Sequence, residues 1–247
     1  MGELLLELLS EEMPARMQAI AAKDLARLVS SGLEESGLKF RSLKTFVTPR
    51  RLALVVEELP RQLPAYVQEK RGPRIEANEQ AIEGFLKANG LKREQCEERK
   101  LKNGVFLFAI TEISGALTAE VLPQILSKVI SDFPWQKSMR WGNGSMRWVR
   151  SLERIVCLFD GEALSVTTRN GVDCGNITVG HRFLAPNNIE VSDFADYEHK
   201  LRAANVILDL EERKCLILEK ANDLAAAEGY SLRQDIPLIN EVAGLVE

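Results

Sequence analysis

Apolar and polar positions alternate along this chain with changing period, and the changes mark the elements. The opening "ELLLELL" is apolar except for single carboxylates and predicts a buried strand. Met17, Ile20, Ala21, Leu25, Leu28 and Val29 then recur at helical spacing. Ser10 is the expected cap of that helix, with Glu11 and Glu12 at its positive end, Pro14 in its first turn, and Gly32 or Gly37 as its stop. In "SLKTFVTPRRLALVVEEL" the residues Leu52, Leu54 and Val56 alternate after a Pro49-Arg50 corner, which predicts a hairpin. Strand, helix, strand, strand is a small α+β unit, its helix covering one face of a mainly antiparallel sheet.

"LPRQLPAYVQEKRGPRIE" carries three prolines and reads as a connector. A short helix over Glu79 to Asn89 follows, stopped by Gly90. Asn103-Gly104 is the strongest hairpin turn in the chain. Val121, Leu122, Ile125, Leu126 and Val129 predict an amphipathic helix. A second hairpin is expected near Asp160-Gly161, then strand and loop through "NITVGHRFLAP". Ser192 or Asp193 starts a helix, and Asp209 with Glu212 fits a capping box for another that Gly229 closes. "INEVAGLVE" begins a further apolar element, which reads as a fragment of a longer protein. The overall expectation is an α+β protein of mainly antiparallel sheets and packed helices with a helical C-terminal end. The expected regions are 1–62, a strand-helix-hairpin unit; 63–136, helix-hairpin-helix; and 137–247, β-rich and then helical.

Composition adds little to the fold and more to the function. The 247 residues are 45% hydrophobic and 28% charged, ordinary globular values, with a formal charge of -4. An acidic chain is no general nucleic-acid coat, yet a local basic face would still attract a polyanion. Cys96, Cys157, Cys174 and Cys215 form no C-x-x-C pair, and His181 and His199 are the two histidines. Neither a zinc site nor a disulfide framework is expected. The opening run is too short for a signal peptide and no run matches a membrane span, so the expected location is cytoplasmic. The sequons at Asn143 and Asn176 are then chance matches.

Catalytic signatures are absent: there is no G-x-S-x-G, P-loop, G-x-G-x-x-G or H-E-x-x-H. The adjacent Glu pairs at 11-12, 57-58, 97-98 and 211-212 point apart in any regular element and make no acid-base pair. His181, beside Arg182 in "GHRFLAP", has titrating chemistry, against which stands a loop imidazole donating a structural hydrogen bond. His199 belongs to a charged helix face. What remains is basic. "KSMRWGNGSMRWVRSLER" places Lys137, Arg140, Arg147, Arg150 and Arg154 with Trp141 and Trp148 against a single acid, Glu153. Arginine forks bind phosphate and exposed indoles stack on bases, so the stretch fits RNA. Equally, the tryptophans would serve as core anchors with arginines stacked on them or paired to carboxylates. Lys70, Arg71 and Arg74, and the "TPRR" corner, are weaker versions of the same pattern.

"LLLELLSEEMPARM" from Leu4, "TPRRLAL" from Thr48, "KRGP" from Lys70, "SMRWG" from Ser138, "GHRFL" from Gly180 and "DLEERK" from Asp209 stand in this order along essentially the whole chain. Together they resemble the N-terminal third of the bacterial glycyl-tRNA synthetase β subunit. Leu9-Ser10 departs from the small residues frequent there, but Ser10 keeps a hydroxyl. The resemblance implies a heterotetramer of two α and two β chains that uses ATP to join glycine to its tRNA. It implies that α carries the active site, with ATP and magnesium, and that this part of β needs no cofactor and is inactive alone. The expected partners are the α subunit, a second β chain and glycine tRNA, with neither membrane nor DNA. The contact candidates are the basic and aromatic residues above together with His181 and Arg182. A rival reading is an assembly module that holds α without touching RNA, and a third is a self-contained enzyme centred on His181.

Overall fold

A computed structural model describes residues 1–64, 66–101, 104–113 and 115–247, with backbone alone for 66–68 and 111–113. Its architecture is the expected α+β fold, built in two compact units, Met1–Arg61 with Thr118–Glu247, and Gln62–Leu117.

In the larger unit, β1 (Gly2–Ser10) leads to α1 (Ala15–Glu35) and then to the hairpin of β2 (Ser42–Val47) and β3 (Arg51–Leu59). The smaller unit follows with β4 (Tyr66–Arg74), α2 (Glu79–Asn89), β5 (Cys96–Leu101) and β6 (Gly104–Ile113). The chain re-enters the larger unit at α3 (Thr118–Ser131) and continues through β7 (Leu152–Phe159), β8 (Glu162–Ala163), β9 (Asp173–Gly175), β10 (Ile177–Val179) and β11 (Asn188–Glu190). It finishes in α4 (Phe194–Ala203), α5 (Leu210–Ala227) and α6 (Ile236–Ala243).

The expected three segments differ from this division in the later boundary, at 136 against Thr118, and in that the first and last segments form one unit through strand pairing. The main sheet runs β2-β3-β1-β7-β8, with β9 parallel to β7. β1 lies in its middle, paired with β3 and also with β7 from Leu4↔Phe159 to Ser10↔Leu152. Two segments far apart in sequence therefore share one core. Thr118 N–H donates to Arg61 O at 3.0 Å and Thr118 Oγ1 to Pro60 O at 2.5 Å, so the smaller unit leaves and returns at one point.

β1 is buried on both faces. Leu5 packs with Ala53, Val156 and Leu158 against Tyr197 and Leu201 of α4. By strand alternation Leu4, Leu6 and Leu8 face the other side, where α1 packs on β2, β3 and α3. That helix differs from expectation at its start. Ser10 ends β1 instead of capping, and the helix opens at Ala15 behind Pro14 without a side-chain cap. Its buried stripe also takes in Gln18 and leaves Ile20 exposed, because the Gln18 amide donates to Met13 O and Gly244 O, at 3.0 and 2.7 Å. Gly37, at φ 76°, closes it through Leu38 N–H to Leu33 O.

The proline-rich connector is corrected as well: residues 66–74 of it form β4, an edge strand beside β6. The register shifts between Arg71↔Phe108 and Arg74↔Phe106, so Gly72-Pro73 sits in an irregularity that needs no ladder donor from proline. β5 and β6 pair as the expected hairpin up to Leu101↔Gly104, while the predicted turn residue Asn103 lies outside the described residues. Asp160 and Gly161, both at positive φ, make the turn between β7 and the two-residue β8. Asp193 caps α4, accepting from Asp196 N–H at 2.8 Å. Asp209 caps α5, but Glu212 does not return the favour of a capping box, because its carboxylate holds Arg202. Among the described residues no helix is long and apolar enough to cross a membrane.

Candidate nucleic-acid interface

The stretch after α3 is a narrow loop on an aromatic anchor. Phe133, Trp135 and Trp148 pack ring to ring with centroids 4.6 to 5.1 Å apart. Met139 and Trp148 exchange backbone hydrogen bonds of 2.8 and 3.2 Å, closing the loop at its base. Trp148 is 1% exposed and is therefore a core anchor, unable to stack on a base. Trp141 is half-buried. Arg140 and Arg147, the next residues inward from the bridge, are exposed, as is Lys137.

The polar contacts of these cations are few and local. Arg147 Nε donates to Ser138 Oγ at 3.1 Å, Arg150 Nη1 to Val149 O at 2.8 Å, and Arg154 Nη1 to Asn188 Oδ1 at 3.1 Å. Among the described residues none of Lys137, Arg140, Arg147, Arg150 and Arg154 forms an ion pair. Glu153, the acid in their midst, is taken by Arg50 at 2.9 Å. Burial and the neighbouring Glu11 carboxyl raise the Glu153 pKa, while the hydrogen bond from Glu153 and the nearby Arg182 lower that of Glu11. The positive charge on the loop is left for something else.

The other candidates separate. Arg182 is spent on Glu11 and Glu12, at 3.0 and 2.9 Å. His181 Nδ1 accepts from the backbone N–H groups of Phe183 and Leu184, both at 3.2 Å. Its ring is held as an acceptor instead of the expected donor, and it bonds no nucleophile among the described residues. The "TPRR" corner is likewise consumed: Arg50 by Glu153, Arg51 in the interior. In the smaller unit Lys70, Arg71 and Arg74 are exposed, with Arg71 and Arg74 lying 3.9 and 5.6 Å from the centroid of the Phe106 ring. Gly72 is required there, since a Cβ would meet Phe85 at 2.6 Å. No cluster of three or more His, Cys, Asp or Glu suited to a metal occurs among the described residues.

A family model described as glycyl-tRNA synthetase beta subunit matches residues 4–247. The chain belongs to that family. It is 51% identical over 250 residues to the glycine–tRNA ligase beta subunit of Paracoccus denitrificans, covering all of this chain and 36% of that one. The corresponding protein of Dinoroseobacter shibae is 49% identical, with 100% and 35% covered, and that of Cereibacter sphaeroides 48%, with 100% and 36%. The chain thus spans about a third of the length of the curated relatives it matches.

Within this glycyl-tRNA synthetase β-family chain the most elaborate polar site is internal, and the sequence reading missed it. Glu7 is fully buried; its Oε2 accepts from Tyr197 Oη at 2.5 Å and its Oε1 from Thr178 Oγ1 at 2.6 Å. Arg51 Nε lies 3.2 Å from Glu7 Oε2, and its other nitrogens reach Glu247, Val179 O and Gly180 O. Burial disfavours the Arg51 charge, yet Glu7 and Glu247 offset this and raise its pKa. Burial and Glu7 together push the Tyr197 phenol well above its ordinary range. Arg213, within α5, is also buried, donating to Ile207 O, Leu208 O and Val47 O, and its pKa falls to about 10 through burial. A carboxylate inside an apolar strand was the available clue, because a buried charge demands partners.

Proposed function

We propose that this chain is the part of a glycine–tRNA ligase β subunit that binds tRNA and supports subunit assembly, with the adenylate-forming chemistry, ATP and magnesium belonging to the α subunit. Its partners are α, a second β chain and glycine tRNA, and its setting is the cytoplasm. The observation that carries the RNA part is the stretch from Lys137 to Arg154, whose five cations hold no carboxylate among the described residues, in a chain of net negative charge. Phosphate is the natural counter-charge for arginines so placed. Family membership supports a polyanionic partner, since the relatives are named as glycine–tRNA ligase subunits.

Replacing Arg140→Ala together with Arg147→Ala in the assembled α–β complex is expected to weaken tRNA binding about tenfold or more at moderate salt while leaving thermal unfolding unchanged. Unchanged affinity in a filter-binding titration would defeat the assignment.

A further inference from the structure

The loop is held from outside as well as from its own base, and the holder is Asn170. Its Oδ1 accepts from Met146 N–H at 3.1 Å. Gly144 lies directly on the same amide; a Cβ at 144 would fall 1.8 Å from Asn170 Oδ1. Asn170 in turn belongs to a fixed turn. Gly171 takes φ 62° and donates to Thr168 O at 3.2 Å, while Val172 N–H donates to Thr168 Oγ1 at 2.9 Å. Thr168 is buried, and Val172 runs into β9 beside β7. One leg of the cationic loop is thereby bolted to the main sheet and the other to the Trp148 anchor. Arg169, exposed and outside every ion pair among the described residues, precedes Asn170 at the point of contact.

What this rigid frame offers a ligand is charge. Trp148 is buried beneath it and Trp141 is half-covered, so the loop offers one partly open indole against several exposed cations, less than the stacking platforms that hold unpaired bases. Resting on the tRNA-binding reading above, we infer that the loop reads the phosphodiester backbone of folded RNA and not its bases, that Arg169 belongs to the contact set with Arg140 and Arg147, and that Asn170 is the positioning residue that presets it. Pre-organisation matters because ordering a loose loop at binding costs affinity.

The test uses the assembled α–β complex and two transcripts, glycine tRNA and a tRNA of another specificity, titrated at several salt concentrations. Arg169→Ala is expected to lower affinity for both by the same factor and to reduce the slope of log affinity against log salt by about one. Asn170→Ala is expected to lower affinity about threefold to tenfold for both, with an unchanged melting temperature and a shallower salt slope. Gly144→Ala, which collides with Asn170, is expected to reproduce that loss. A loss confined to the glycine transcript would overturn backbone readout. Full affinity in Asn170→Ala, in a complex where Arg140→Ala/Arg147→Ala does weaken binding, would overturn the positioning role alone. If that double variant is also without effect, the tRNA-binding reading itself fails.

Discussion

Glu7 and Arg51 show how one residue pair can unite distant parts of a chain. Glu7 sits in β1, Arg51 in β3, Tyr197 in α4, Thr178 in β10 and Glu247 after α6, and their polar atoms meet where water does not reach. The pattern of the sequence made Glu7 an interruption in an apolar run and Arg51 a member of a basic corner. Neither type nor spacing revealed that they face each other, because the facing depends on the register of β1 against β3 and on a helix almost two hundred residues away. Removing one partner of such a cluster strands the remaining charges in the interior. Arg51→Ala is therefore expected to cost about 3–5 kcal/mol, measured by urea unfolding. A loss under about 1 kcal/mol would show that water enters the cluster. The same scale separates Trp148 from Arg147: they are neighbours in sequence, yet one is in the core and the other in solvent.

At the scale of elements, local chemistry was largely readable. Asp193, Asp209, Gly90 and Gly229 start or stop their helices as their side chains and backbone freedom predict. The misreadings came where tertiary context overrode a local rule. Ser10 is kept in β1 by its pairing with β7, so it cannot cap α1, and Gly72-Pro73 is tolerated in β4 because the strand is an edge with an irregular register. Gly32 reads as a stop from sequence but lies inside α1, where it serves close packing on α3. A Cβ at 32 would approach Ile125 Cγ2 to 2.6 Å. Gly32→Val is accordingly expected to lower stability by about 1–3 kcal/mol through overpacking, despite its removal of a helix-interior glycine; thermal denaturation would show it. A stabilised variant would mean that α1 and α3 part without cost.

At the scale of the whole molecule, the fold class was legible and the division into units was not. Composition shifts marked the exit from the larger unit near Pro60, but the return at Thr118 is a helix start like any other, and the sharing of a sheet by β1 and β7 is a nonlocal fact. The hydrogen bonds from Thr118 to Arg61 and Pro60 bring both crossing points together. Replacing residues 62–117 by a short Gly-Ser linker is thus expected to leave the larger unit folded, with one cooperative thermal transition; loss of that transition would show that its core depends on the excised unit. The candidate interface was half legible. Its residue types suit phosphate chemistry, while the sorting of open arginines from paired ones, and of Trp148 from the surface, required the packing. On the proposed reading the open arginines of this stretch meet tRNA phosphates. The most direct measurement is the salt dependence of tRNA affinity for the assembled α–β complex, with and without Arg140→Ala/Arg147→Ala. Two lost phosphate contacts predict a slope of log affinity against log salt shallower by about 1.5–2, together with weaker binding, whereas identical slopes and affinities for the two proteins would contradict it.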